Sequence, residues 1–255
     1  MIKRFTLWAA MLTLSSSTLC LAQTTPTPPQ RFRVTVTQVK PDMLNEWMDL
    51  QKNEVNPAMK KSGVARRTVL RHVFGNTYEF ISITPLENYA SLDAGGSPFA
   101  KALGPEGAAR LGAKTRKCIN SSRSYVGTGI PELSLPPDAT NPPPVSISTR
   151  VRLAQGKRQD WINFQKNEIL PLYKKAKAEG MIAGLNVSGR GFGSSNTEVS
   201  ITTYYNKFAD LDGGNVLGRV AGGQGAATKI FAKGAGLSTT IETVVRRRVE
   251  ELSYR

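Results

Sequence analysis

The 255-residue chain carries 34 lysines and arginines against 19 aspartates and glutamates, a formal net charge of +15. A basic surface favours anionic partners such as polyanions, envelope lipids or acidic small molecules. Nucleic-acid binding needs in addition a basic stripe with interleaved aromatic residues or a known motif. The sequence contains neither, so we expect no nucleic-acid partner.

The first 22 residues have the layout of a cleaved secretory signal. Lys3 and Arg4 precede an apolar run, Phe5–Leu14, and Ala22 provides a small residue at the expected cleavage site. The polar stretch Ser15–Thr18 interrupts the run well short of the roughly 20 apolar residues that a spanning helix needs. We therefore predict a secreted or periplasmic protein whose mature chain has no transmembrane segment.

Residues 23–30 form a leader rich in threonine and proline, and the predicted first α+β repeat covers residues 31–130. Its order is strand, helix, strand, strand, helix, strand. The segment RFRVTVTQV alternates apolar and polar residues, as a half-buried strand does. Asp42 begins a helix that ends near Ser62. Two strands follow, separated by Gly75-Asn76, and a glycine-interrupted helical stretch leads to the last strand.

Residues 131–144, which contain six prolines in the segment PELSLPPDATNPPP, are predicted to be a semi-rigid linker rather than packed structure. Residues 145–255 repeat the element order of the first unit. With the signal removed, Cys118 is the only cysteine, so the mature chain has no intrachain disulfide.

One fifteen-residue phrase occurs twice. WMDLQKNEVNPAMKK begins at Trp47 and WINFQKNEILPLYKK begins at Trp161, 114 residues later. Further matches follow in the same order, including YASLDAGG with FADLDGGN. A fixed order of several matches indicates an internal duplication.

Each βαββαβ unit should give a four-stranded antiparallel sheet with helices on one face. The second unit can cover the other face, sheet against sheet, around a central space. This organisation resembles the dimeric α+β barrel (ferredoxin-like) superfamily in a tandem-duplicated, single-chain form. The resemblance implies an α+β fold with an intrachain barrel, and a mono-oxygenase-like or haem-handling enzyme as one possible function. It leaves the cofactor unknown and the oligomeric state open, with a monomer compatible.

The repeated phrase is predicted to build the same packed helix twice. At 100° per residue its apolar side chains share one arc, and Gln51 and Gln165 lie near the centre of that arc. A buried amide needs hydrogen-bond partners, so we interpret both glutamines as structural ties from helix to strand. Pro57 and Pro171 cannot donate to the carbonyl four residues earlier, and each helix should kink or change its pitch there.

The candidate site residues are few. His72 is the only histidine and the best candidate for proton transfer or axial ligation, although a structural role is the simpler interpretation. Glu79 and Glu198 match at the start of the third strand of each repeat and could act as an acid–base pair if the barrel brings them close. No spacing indicates a metal site. AGGQGAATK lacks the spacing of a phosphate-binding loop.

The sequence leaves open which strand faces line the barrel. If the faces that do not resemble helix-facing ones line it, the central space is polar and basic and would suit a small polar or anionic ligand. Arg150 and Arg152 are the predicted ligand-binding residues, together with Glu79 and Glu198. The other residues assigned to these faces are Arg33, Thr35, Ser122, Ser124 and Ser148.

Three hypotheses remain open: a small-molecule-binding protein, an enzyme of the superfamily, and a non-catalytic structural or interaction module. An empty polar cavity with Arg150 or Arg152 inward would favour binding. A cavity with His72 on its wall would favour an enzyme, and bulky apolar inner faces would favour a filled module.

Overall fold

The structure is a computed structural model that describes residues 30–93, 98–138 and 140–255. The predicted signal, and the leader up to residue 29, lie outside these ranges. The described strands are β1 (Arg31–Val39), β2 (Thr68–His72), β3 (Glu79–Pro85), β4 (Ile119–Gly129), β5 (Val145–Leu153), β6 (Gly184–Arg190), β7 (Glu198–Tyr205) and β8 (Ser238–Arg248). The described α-helices are α1 (Leu44–Leu50), α2 (Asn56–Lys61), α3 (Pro98–Lys117), α4 (Arg158–Phe164), α5 (Leu170–Ala178), α6 (Val216–Val220) and α7 (Gln224–Ala232).

The eight strands close into one antiparallel barrel in the order β1-β3-β2-β8-β5-β7-β6-β4. The first half of the barrel, strands β1 to β4, and the second half, strands β5 to β8, have the same internal order. They join at two seams, β2 with β8 and β4 with β6. The chain is therefore an α+β protein with a closed eight-stranded barrel, as the sequence predicts.

The helices cover the outside of the barrel because each strand presents one apolar face to them. In the first half Trp47, Val55 and Met59 pack with Val69 and Phe80 in one buried cluster. In the second half Trp161, Tyr173 and Leu185 are packed together in the same way. The apolar arc predicted for the repeated phrase is confirmed.

The prediction of a changed helical pitch is also confirmed. Gln51–Val55 and Gln165–Ile169 are both π-helical turns, inserted between α1 and α2 and between α4 and α5. Each turn ends two residues before a proline, Pro57 or Pro171. The proline has no backbone N–H, so the ordinary helical hydrogen bond to the carbonyl four residues earlier is lost. The same phrase thus produces the same irregular helix in both halves.

The inner face of the first half differs from the expectation. Val34, Val36, Leu70 and Ile81 form a separate buried cluster that contains no helical residue. Because side chains alternate along a strand, Arg33 and Thr35 lie on the opposite, helix-facing side. Ser124, the β4 partner of Thr35, and Ser122, the partner of Thr37, lie there too. The polar residues were assigned to the wrong face here because the apolar face of β1 was taken to meet the helices, whereas Val34 and Val36 face the barrel interior. In the second half Ser148, Arg150 and Arg152 do point inward, because their neighbours Val151 and Leu153 join the helix-side cluster.

The proline-rich segment after β4 is more ordered than expected. Pro131–Leu133 forms a 3-10 helix, Leu133 is buried, and Leu135 pairs with Leu185 at the start of β6. The segment after β8 does the same on the other half: Glu250–Leu252 is a 3-10 helix with Leu252 buried. Each half therefore ends in a short tail that packs on the neighbouring half. Among the described residues no helix is long and apolar enough to cross a membrane.

Candidate functional site

An ion-pair cluster lies on the inner face of the second half. The Glu198 carboxylate is 3.1 Å from Arg152 Nη2 and 3.2 Å from Arg150 Nη1, with Arg190 Nη1 at 3.8 Å. Arg150 also reaches Glu242 at 3.3 Å. Glu198 is buried, with 5% of its surface exposed. Three guanidinium groups share its two oxygens.

His72 and Glu79 occupy the equivalent place in the first half. Nε2 of His72 is 3.6 Å from Oε1 of Glu79, and both side chains point into the barrel. Arg246 lies beside His72 on β8 and interacts electrostatically with Glu79 and Glu242. The two halves are thereby linked, and the predicted residues His72, Glu79, Glu198, Arg150 and Arg152 all belong to one charged cluster inside the barrel.

Burial and neighbouring charge set the protonation states in this cluster. Burial raises the pKa of the Glu198 carboxyl, but Arg152, Arg150 and Arg190 more than offset this and hold the pKa below its usual range. Burial and the charge of Arg246 lower the pKa of His72, against the opposing effect of the carboxylates. At neutral pH the cluster therefore contains ionised Glu198 and a neutral imidazole.

Two important members of the cluster were not predicted from the sequence. Arg190 pairs with Glu198 and lies over the Tyr125 ring, with 4.4 Å from its guanidinium carbon to the ring centre. Arg246 carries the link to the first half. Aligning RHVFG at residue 71 with GRGFG at residue 189 would have placed Arg190 at the position of His72.

A cavity adjoins this cluster from outside the barrel. It is a groove of about 440 Å³ at the β2–β8 seam. Its apolar part includes Met48 and Phe80, which belong to the helix-side cluster, so the groove opens on the outer face. We call it the seam groove. Its lining residues are Met48, Arg71, His72, Val73, Thr77, Phe80, Arg247, Arg248, Val249 and Glu251.

The seam groove is rich in guanidinium groups. Arg71 lies over the Phe80 ring and donates through Nε to the Thr77 carbonyl at 2.6 Å. Arg247 is exposed and lies over the ring of Phe208 from the second half. Neither arginine has an ion pair within the described part of the chain, whereas Arg248 has Glu250 at 3.1 Å. The groove therefore offers uncompensated positive charge beside an apolar floor.

The residues do not fit a haem or a metal site. The only histidine is 5% exposed at its side chain, and its Nε2 lies 3.6 Å from Oε1 of Glu79 inside the barrel, so Nε2 is not presented to a haem in the outer groove. In the described ranges no group of three or more histidine, cysteine, aspartate or glutamate side chains is placed to hold a metal ion. Cys118 is buried and unpaired, and burial raises the pKa of its thiol.

Comparisons with known proteins show the fold alone. No protein-family model and no curated protein sequence matches the chain. A candidate monooxygenase from Fusobacterium nucleatum has a TM-score of 0.60 and 9% identity over 87% of this chain and 93% of its own. An anthrone oxidase-like protein has a TM-score of 0.57 and 8% identity, covering 88% and 92%. A chlorite dismutase from Candidatus Nitrospira defluvii has a TM-score of 0.52 and 13% identity, covering 89% and 95%. These are proteins of the dimeric α+β barrel type, the fold class expected from the sequence.

Proposed function

We propose that this protein is a secreted or periplasmic binding protein for a small organic anion. Two ferredoxin-like repeats, produced by tandem duplication, form its single-chain barrel. The ligand binds between them in the seam groove, with its apolar part on Met48 and Phe80 and its anionic group against Arg71 and Arg247.

The observation that carries this proposal is that the seam groove combines a cavity, the apolar side chains of Met48 and Phe80, and two arginines that have no ion pair among the described residues. A volume of about 440 Å³ falls within the range of small-molecule sites, which combine apolar walls with a few placed polar groups. Guanidinium groups bind carboxylates and sulfonates by charge-assisted hydrogen bonds. The central space is less suitable, because the first half fills it with Val34, Val36 and Leu70 and the second half pairs its arginines with glutamates.

The duplication proposal has support beyond the repeated phrase. Both halves have the same strand order, the same π-helical turn and the same tail after the last strand. The tails read PELSL and EELSY, and in each the serine hydroxyl accepts from a strand amide of the other half, Ser134 from Val187 and Ser253 from Val69.

The test is titration with 1-anilinonaphthalene-8-sulfonate, a fluorescent probe with an aromatic body and one anionic group. We expect saturable binding of one probe per chain. Arg247→Gln should weaken it about tenfold, the loss of one charge-assisted hydrogen bond of roughly 1.4 kcal/mol. Arg110→Gln, which removes an exposed charge from α3, is the matched control and should bind like the wild type.

Either of two results would overturn the proposal: no saturable binding, or equal weakening by Arg247→Gln and Arg110→Gln. The first would favour the interpretation as a structural module. The second would assign the binding to net charge.

An enzyme is the second candidate, favoured by the neutral His72 imidazole at the groove wall and by fold neighbours that include monooxygenase-type proteins. A neutral imidazole can accept a proton from a bound substrate. Oxygen uptake with anthrone as the probe tests this function. An enzyme would show uptake that His72→Gln abolishes, while no uptake above that of buffer would exclude this activity.

A further inference from the structure

Three side chains in one cross-strand row inside the barrel have buried atoms without hydrogen-bond partners. His72 on β2 pairs with Arg246 on β8, and Arg246 pairs with Ser146 on β5. Nε2 of His72, Nε of Arg246 and Oγ of Ser146 are all buried, and none has a hydrogen-bond partner among the described residues. We call these three residues the seam row.

The seam row faces the barrel interior. Leu70, two residues before His72, belongs to the inner apolar cluster, and side chains two apart on a strand share a face. Arg246 interacts electrostatically with the inner residues Tyr125, Glu79 and Glu242. His72 and Ser146 are only 6% and 2% exposed. The row is therefore distinct from the seam groove on the outer face, although His72 borders both.

Unpartnered polar atoms in such a place are unusual. More than nine-tenths of buried polar groups in proteins have a hydrogen-bond partner, because a buried group without one is destabilising. Three neighbouring exceptions, contributed by three strands of two different halves, indicate one shared partner that protein atoms do not supply.

The charge of the cluster indicates the sign of that partner. Its carboxylates are Glu79, Glu198 and Glu242, and Glu198 already serves three guanidinium groups. Arg246 forms no ion pair in the described part of the chain. Glu79 and Glu242 attract Arg246 only from beyond ion-pair distance, so its planar donor groups remain available to the oxygens of a carboxylate or phosphate.

We propose that the seam row binds one small oxyanion inside the barrel. Arg246 and Ser146 donate hydrogen bonds to its oxygens, and His72 donates a third from Nε2. This site goes beyond the proposed function: it takes an ion rather than an amphipathic molecule, and it lies on the other side of the β2–β8 seam from the groove.

The experiment is thermal unfolding of the purified protein with increasing sulfate, phosphate or acetate, each compared with sodium chloride at equal ionic strength. Sulfate and phosphate also stabilise proteins generally by exclusion from their surface, so the informative quantity is the difference between variants. We expect a saturable rise in Tm for at least one oxyanion in the wild type and in Arg110→Gln, and its loss in Arg246→Gln. A response to acetate alone would assign the site to carboxylates, and a response to sulfate or phosphate alone to inorganic ions.

Ser146→Ala keeps the test decisive if Arg246→Gln does not fold. Without added oxyanion its Tm should equal or exceed that of the wild type, because it removes a hydroxyl that has no partner. Its Kd for the responding oxyanion, measured by calorimetry, should rise about fivefold. An equal salt response in all variants, or no saturable response in the wild type, would overturn the proposal.

Discussion

Arg67 lies in a buried network with no carboxylate. It is 5% exposed and donates from Nη1 to Asn56 Oδ1 and from Nη2 to Gln51 Oε1, both at 2.7 Å, and from Nε to Ser82 Oγ at 2.9 Å. Burial lowers its pKa to about 10. This network ties the π-helical turn of the first half to the sheet, and it confirms the structural role predicted for Gln51.

The second half has uncharged residues at the positions that correspond to Arg67 and Asn56. Tyr254 bridges to Arg67 where Leu135 bridges to Leu185, so Leu185 occupies the position of Arg67. By the spacing of the repeated phrase, Leu170 occupies the position of Asn56. Both leucines are buried in the apolar cluster of that half.

Arg67→Leu alone should therefore lower the free energy of unfolding substantially, and adding Asn56→Leu should restore part of that loss. The single change leaves the oxygens of Gln51 and Asn56 buried without donors, at about 1–3 kcal/mol each, so the free energy of unfolding should fall by about 3–5 kcal/mol. Adding Asn56→Leu removes one of these orphaned oxygens and recreates the leucine pair of the second half. The double variant should recover at least about 1.5 kcal/mol relative to the sum of the single changes.

Urea unfolding of the wild type, both single variants and the double variant measures this coupling. Leu185→Ala is the comparison in the second half and should cost about 2–5 kcal/mol through a cavity, with no such coupling to Asn56. A loss below about 1 kcal/mol for Arg67→Leu, or strict additivity in the double variant, would refute the reasoning.

Three further predictions concern the charged cluster and the tails. Glu198→Gln should lower the free energy of unfolding by about 2–4 kcal/mol at pH 7 because it leaves three arginines without their carboxylate. The folded-state pKa of Glu198 is lowered, so this contribution is present above the unfolded value near 4.5 and is lost progressively as the pH falls below it. The free energies of unfolding in urea should converge only below the folded-state pKa. Burial and the charge of Arg246 lower the folded-state pKa of His72, against the opposing effect of Glu79 and Glu242. The wild type should therefore lose stability as the pH falls below about 6.5, and His72→Gln should lose less over that range. An identical pH profile of stability for the two proteins would contradict this. Ser253→Ala should lower the free energy of unfolding by about 1–2 kcal/mol because the Val69 amide loses its acceptor, and Ser134→Ala should match it; no change in urea unfolding for either serine variant would be the contrary result.

The fold could be read from the sequence because the elements repeat. The matched phrase, the alternation in β1 and the positions of Pro57 and Pro171 each determine local structure directly. The tails were missed for a physical reason. Prolines near Pro131 suggested an extended linker, but the decisive fact is that Leu133 finds a buried position on the other half, a long-range contact that no local pattern reports.

The candidate site was only partly predictable. Glu79 and Glu198 were found because they match between the two repeats, and Arg150 and Arg152 because they alternate with apolar residues along β5. Arg246 could not be predicted, because the sequence does not show that β8 pairs with β2. The seam groove was likewise invisible, since its walls come from both halves.

A crystal structure of the protein soaked with 2-naphthoate would test the proposed function most directly. We expect the naphthyl ring to lie on Met48 and Phe80 in the seam groove, with the carboxylate within hydrogen-bond distance of Arg71 or Arg247. Density for the ring at another site, or an unoccupied groove at a concentration that saturates the protein in solution, would contradict the proposal.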